Sequence, residues 1–120
     1  MIDDSELVRA LAQVAFRATG WNVAYAQDGE TGLALAAADP PDAILLDLMM
    51  PGVDGPEVLR RLRADPQSAS IPVVLLTASP EIAAGYGADG VIAKPFQPHS
   101  LVPLLCELLG WSDPDGPTPD

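Results

Sequence analysis

The stretch Ala43-Ile44-Leu45-Leu46-Asp47-Leu48-Met49-Met50-Pro51-Gly52 constrains this chain more than any other. Apolar residues run without a break into a single carboxylate, with Pro40-Pro41-Asp42 ahead of them and Pro51-Gly52 behind. A continuous apolar run of strand length has no polar face to turn to water. It therefore predicts a strand covered on both sides, as in parallel sheets. Asp47 falls where that strand should end, and open parallel sheets bind ligands outside the carboxyl ends of their strands. An ionised carboxylate buried there alone costs on the order of several kcal/mol, so it needs a cation, a lysine or a reaction. Taken by itself, Asp47 can equally be a turn-initiating residue before Met49-Met50-Pro51-Gly52. The other acidic residues and one lysine separate the two readings.

Around this stretch the apolar pattern alternates between helical and strand periods. Residues 5–19 read as a helix with Leu7, Leu11 and Val14 on one stripe, widened by Val8 and Ala15, with Ser5 or Asp4 as cap and Gly20 as stop. Residues 21–26 read as a strand, and residues 30–38 as an Ala- and Leu-rich helix ended by Asp39-Pro40-Pro41. Gly55-Pro56-Glu57 opens a third helix that turns Val58, Leu59 and Leu62 inward and Arg60, Arg61 and Arg63 to solvent, with Asp54 as a turn and cap residue. Residues 72–77 form a second buried strand ending in Thr77, residues 80–87 leave room for a short helix, and residues 90–94 form a third strand ending in Lys94. The last helix carries Leu101, Leu104, Leu105 and Leu108 on one stripe, and Pro103 is expected in its first turn, with regular helix only from Leu101. The fold class is thus α/β, a doubly wound parallel sheet with right-handed crossovers.

A chain of 120 residues is one domain, expected over residues 1–110, with residues 111–120 an acidic, Pro-rich flexible tail. No apolar run has the length of a membrane span and no signal-peptide pattern opens the sequence, so a cytoplasmic protein without a membrane partner is expected. Cys106 is the only cysteine, which excludes an internal disulfide and a cysteine metal cage. Six basic residues against seventeen acidic ones give a net charge of −11, which argues against nucleic-acid binding through a broad basic surface. His99, the only histidine, is expected to be solvated at the start of the last helix.

Connectivity brings Asp47, Thr77 and Lys94 to one edge of such a sheet, with Asp3 and Asp4 following what little there is of a first strand. Crowded carboxylates repel, which raises at least one pKa unless a cation intervenes. Mg²⁺ is the hard ion that carboxylates, a carbonyl and waters hold. Asp47 can act as an oxygen nucleophile toward phosphorus, Lys94 can neutralise the phosphoryl oxygens, and Thr77 can hydrogen-bond one of them.

In Asp3-Asp4, Asp47 to Gly55, Thr77-Ala78, Gly87-Ala88-Asp89-Gly90 and Lys94-Pro95-Phe96, the chain resembles the receiver domains of response regulators, the CheY-like module of two-component signalling. The resemblance implies a sheet of order 2-1-3-4-5. It implies Asp47 as phosphoacceptor, and Mg²⁺ held by Asp3, Asp4, Asp47 and the Met49 backbone carbonyl. It further implies Thr77 as switch hydroxyl, Lys94 as phosphoryl-binding cation and a cis bond between Lys94 and Pro95. The partners implied are a sensor histidine kinase or phosphotransfer protein and a downstream protein. The chain would be a signalling module and not a dedicated enzyme.

Three departures from the family pattern stand out. The family carries about five apolar residues, a normal strand length, where only Met1 and Ile2 precede Asp3-Asp4 here. A largely missing first strand would leave Asp3 and Asp4 on poorly anchored backbone. It points to a missing or misassigned start, or to a strand supplied by another chain in a homodimer. The segment from Thr77 to Lys94 is shorter than the family's by about five residues, more than one helical turn. Val91 stands where the family usually has an aromatic ring that moves behind the switch hydroxyl. These departures motivate an alternative function, a phosphorylation-independent interaction or dimerisation module. An Asp-nucleophile phosphohydrolase of another family is disfavoured because Met49 occupies the place of its second carboxylate.

Overall fold

The apolar run ahead of Asp47 forms β1 (Ile44–Asp47), with every residue buried. The computed structural model describes residues 1–111. Around β1 the order is α1 (Glu6–Phe16), α2 (Gly29–Ala38), β1, α3 (Gly55–Ala64), β2 (Val73–Thr77), α4 (Pro80–Ala83), a 3-10 turn at Ala84–Tyr86, β3 (Gly90–Ala93) and α5 (Pro98–Leu109). The strands are parallel in the order β1-β2-β3, with Asp47 opposite Leu76 and Thr77 opposite Ala93. Ile2 bridges Leu46 on one side and Ala26 on the other, both parallel. The expected order 2-1-3-4-5 is therefore present, with its first two positions reduced to single rungs at Ala26 and Ile2.

Two apolar clusters cover the two faces of the sheet. Ile2, Leu46, Val58, Leu62, Val73 and Leu75 belong to one, on the α2–α3 side. Phe16, Leu45, Val74, Leu76, Leu101 and Leu105 belong to the other, on the α1–α5 side. Successive strand residues thus alternate between clusters while all remain buried, as a continuous apolar run requires.

Side-chain caps open α1, α2 and α3. Ser5 Oγ accepts from the Val8 amide, Asp28 Oδ1 from Thr31 and Asp54 Oδ1 from Glu57. Asp54 is thereby the cap that its position in the sequence suggests. Short α4 and its 3-10 continuation match the short segment between Thr77 and Lys94.

Several sequence-based expectations are corrected. The first helix ends at Phe16 with Arg17 as C-cap, not at Gly20. Leu7 and Val14 are 69% and 53% exposed. The inward face of α1 runs through Ala12 and Phe16 with Val8, Leu11 and Ala15 beside them, packed on the cluster that Leu101, Val102 and Leu105 of α5 share. Residues 21–25 form no regular strand; with only Met1 and Ile2 alongside, there is one rung to pair with, at Ala26. Arg63 does not go to solvent: it bonds the Ala69 and Ile71 carbonyls and pairs with Asp89. The last helix starts at Pro98, which places Pro103 inside it. Burial of Leu101, Val102 and Leu105 holds that turn in place, while Leu104 and Leu108 lie at the rim, 37% and 36% exposed. Cys106 is half-buried against the α1–α5 cluster, and His99 is exposed near the start of α5. Trp111 packs edge-on against Trp21 at 5.2 Å; the rest of the expected tail lies outside the described residues.

Candidate functional site

The site sits at the carboxyl edge of the sheet. Asp47 is the last residue of β1 and Thr77 the last of β2, while Lys94 follows β3 directly. Gly55, the first residue of α3, packs against the end of β1: a Cβ there would lie 2.5 Å from the Asp47 carbonyl oxygen. Only glycine lets α3 start so close to the loop that carries Met49 and Met50. Met50 is buried in the core, whereas Met49 is 76% exposed at the rim.

Lys94 Nζ lies between two buried carboxylates, 3.0 Å from Asp3 Oδ2 and 3.1 Å from Asp47 Oδ1. Asp3 is fully buried and Asp47 nearly so. Asp4 is exposed, but ligand oxygens of Asp3, Asp4 and Asp47 lie within 4.8 Å of one another. Burial pushes the Asp47 carboxyl up to about 6, helped by the Asp3 charge and opposed by its hydrogen bonds from Lys94 and Met49. Burial also pulls the Lys94 ammonium down, but the two carboxylates outweigh it and raise its pKa above the usual lysine value. One lysine thus serves two anions without satisfying both. Asp3 Oδ2 keeps Lys94 nearby but receives no well-directed hydrogen bond.

The two oxygens of Asp47 differ. Oδ1 accepts from Lys94 Nζ and, at 3.3 Å, from the Met49 amide. Oδ2 has no hydrogen-bond donor among the described residues. Thr77 is buried, and its Oγ1 accepts from the Ser79 amide at 2.9 Å, which leaves its own proton free to donate. The Lys94 amide bonds the Thr77 carbonyl at 2.8 Å, and the Lys94–Pro95 bond is cis.

The expected weakness of the Asp3–Asp4 backbone is not found. The Ile2 amide donates to Leu45 O, the Asp47 amide to Ile2 O and the Asp3 amide to Ala26 O, at 2.8, 2.8 and 3.0 Å. Asp3 Oδ1 accepts from the Ser5 amide, and the Asp3 carbonyl accepts from Arg9 Nη1 at 2.7 Å. Local turn geometry and one arginine do what a longer strand would otherwise do. Sequence reasoning missed Arg9. The available signal was its place one turn after the Ser5 cap, where the side chain reaches back to the loop.

The family description "Response regulator receiver domain" matches residues 1–105. The chain belongs to the response regulator receiver family. This receiver is 40% identical over 118 residues to the DNA-binding dual master transcriptional regulator RpaA of Synechocystis, covering 94% of this chain and 49% of that protein. It is 38% identical over 120 residues to the response regulator MprA of Mycolicibacterium vanbaalenii, covering 96% and 51%. The receiver thus spans about half the length of these curated relatives. Among solved structures, a putative response regulator from Chloroflexus aurantiacus superposes with a TM-score of 0.82 at 30% identity, over 91% of this chain and 93% of that one. Chemotaxis protein CheY4 of Vibrio cholerae gives 0.81 at 32%, over 89% and 93%. RpaA is described as DNA-binding, and the acidic charge of this domain therefore does not support the expectation of no nucleic-acid partner. Among the described residues, no helix is long and apolar enough to cross a membrane.

Proposed function

We propose that this receiver, residues 1–110, accepts a phosphoryl group on Asp47 from a sensor histidine kinase or phosphotransfer protein and passes the signal on through a downstream protein contact in the cytoplasm. The observation that carries the reading is the convergence of Lys94 Nζ on Asp3 and Asp47 at 3.0 and 3.1 Å, with Asp4 in the same acidic cluster. In the transfer, Asp47 Oδ2, the oxygen with no donor, bonds to phosphorus as the phosphorus–nitrogen bond of the donor phosphohistidine breaks. The nitrogen leaves with that electron pair, and the product is an acyl phosphate. Lys94 is placed to pair with the phosphoryl oxygens, and the Thr77 hydroxyl is the free donor on the neighbouring strand.

A divalent cation fits the donor set. The oxygens are hard, and buried Asp3 Oδ2 lacks a directed donor. Asp3, Asp4 and Asp47 would hold Mg²⁺, with the Met49 carbonyl as a further ligand. Bound there, Mg²⁺ supplies positive charge against the phosphoryl oxygens. The Ser5 amide holds Asp3 Oδ1 and Arg9 holds the Asp3 carbonyl, while Oδ2 stays beside Lys94 in the same acidic cluster. With Val91 in place of a ring, the acyl phosphate acts through Thr77 and backbone movement, biasing a pre-existing equilibrium. This is signalling chemistry and not a dedicated enzyme's. Mass analysis after incubation with acetyl phosphate and Mg²⁺ tests the reading. One hydroxylamine-labile phosphoryl group on Asp47 is expected; labelling that survives Asp47→Asn would refute it.

A further inference from the structure

Asp3 brings its amide, its carbonyl and two carboxylate oxygens to the acidic cluster, and all but one of these have partners outside it. The amide donates to Ala26 O at 3.0 Å, Oδ1 accepts from the Ser5 amide at 2.9 Å, and the carbonyl accepts from Arg9 Nη1 at 2.7 Å. Only Oδ2 remains, buried, 3.0 Å from Lys94 Nζ and without a directed hydrogen bond. The two oxygens of a carboxylate share one rigid plane. Once the backbone and Oδ1 are fixed, little freedom is left to Oδ2. Ala26 and Ser5 contribute main-chain groups, which any side chain there would leave in place. Arg9 contributes a side chain, so that bond depends on the residue type.

Arg9 is half-buried and sits in the first turns of α1. Its own amide donates to Ser5 O at 3.0 Å. Asp3, Ser5 and Arg9 therefore close a small ring: Ser5 amide to Asp3 Oδ1, Arg9 amide to Ser5 O, Arg9 Nη1 to Asp3 O. Arg60, Arg61 and Arg63 all pair with carboxylates. Arg9 makes no ion pair among the described residues, although the chain carries seventeen acidic residues; its directed bond goes to a neutral carbonyl. Ordering so long a side chain costs conformational entropy. The carbonyl it reaches belongs to one of the three residues whose ligand oxygens lie within 4.8 Å of one another.

We propose that Arg9 is a positioning residue for the divalent-cation site, holding the Asp3 backbone so that Oδ2 stays in the cluster with Asp4 and Asp47. The proposal rests on the reading of that cluster as a Mg²⁺ site. Arg9 touches neither the cation nor the phosphoryl group; it acts through Asp3. Its charge and its bond work in opposite directions. A fixed cation nearby repels Mg²⁺, whereas an oriented ligand favours it. Orientation matters most for Mg²⁺, which demands a near-ideal octahedron, and less for Ca²⁺, which accepts irregular geometry.

Calorimetric titration of the full chain with Mg²⁺, and separately with Ca²⁺, tests this. Sucrose in the buffer favours the folded state, and circular dichroism checks that each variant is folded. Arg9→Met should weaken Mg²⁺ binding by about tenfold or more, the scale set by partners that orient a metal ligand. The loss for Ca²⁺ should be smaller. Arg9→Lys keeps the charge and a donor. Because a single guanidinium nitrogen bonds the Asp3 carbonyl, the lysine should restore most of the Mg²⁺ affinity. Where Arg9→Met does not fold, Arg9→Gln, uncharged and shorter, takes its place with the same expectation. A variant that binds Mg²⁺ like the parent but unfolds at lower urea overturns the proposal in favour of a purely structural role. Tighter binding of both ions overturns it in favour of charge repulsion, and an equal loss of both overturns it in favour of general loosening. A parent with no saturable Mg²⁺ binding overturns the cation reading, and this proposal with it; binding by the parent separates the two failures.

Discussion

At the scale of single residues the site is a contest over one lysine. Asp47 carries a folded-state pKa raised to about 6, against an ordinary value of 3.8. A raised pKa means that the folded form prefers the protonated acid. The stability this contributes is complete below the ordinary value and is lost as pH climbs through about 6. In EDTA, the protein should therefore lose on the order of 2 kcal/mol between pH 4 and pH 8 from this group. Asp47→Asn should flatten that slope and melt higher than the parent at pH 8, with the two converging near pH 4. Thermal melts across that range check it, and a parent more stable at pH 8 in EDTA would contradict the assignment. Arg9 acts through a backbone oxygen. Arg9→Met removes a charged donor from the Asp3 carbonyl and should cost about 1.5–3 kcal/mol in urea unfolding, while Arg9→Lys should recover part of that loss.

At the scale of elements, the thin place is the Ile2 rung. A Cβ on Gly32 would come within 2.4 Å of Ile2 Cδ1, so Gly32→Ala must push on the residue that bridges Leu46 and Ala26. Overpacking of this kind costs about 1–3 kcal/mol, and here amide exchange at Ile2, Asp3 and Asp47 should accelerate along with the loss in urea. Helix α5 offers the opposite sign. Pro103 is exposed in its interior and cannot donate to the turn before it. Pro103→Ala should therefore stabilise the chain by about 1 kcal/mol or more, visible as a higher melting temperature. Both effects turn on backbone groups that an apolar pattern does not report. For that reason the sequence placed α2 and α5 within a few residues but misjudged where α5 begins and which face of α1 is buried. Leu7 and Val14 fit a helical stripe as well as Ala12 and Phe16 do; the choice was made by the partner surface on α5.

At the scale of the whole molecule, the acidic cup should couple cation binding to stability. If Mg²⁺ binds the folded chain alone, a hundredfold excess over its Kd adds about 2.7 kcal/mol. Titration should raise the melting temperature of the parent and leave Asp3→Asn and Asp47→Asn nearly unmoved; an equal rise in all three would place the cation elsewhere. The sequence by itself determined the α/β alternation, the buried strands ahead of Asp47 and Thr77, the cap at Asp54, and which side chains were to meet at the sheet edge. These follow from short-range rules: apolar period, capping chemistry, and chain reversal between parallel strands. Only the tertiary structure decided that Asp3 is held firmly by Ser5 and Arg9, that Arg63 turns to the Ala69 and Ile71 carbonyls, and that Asp47 keeps one oxygen without a donor among the described residues. Each of those depends on how backbone groups from distant segments find or fail to find partners, and side-chain order along a chain does not encode that pairing until the packing has fixed it.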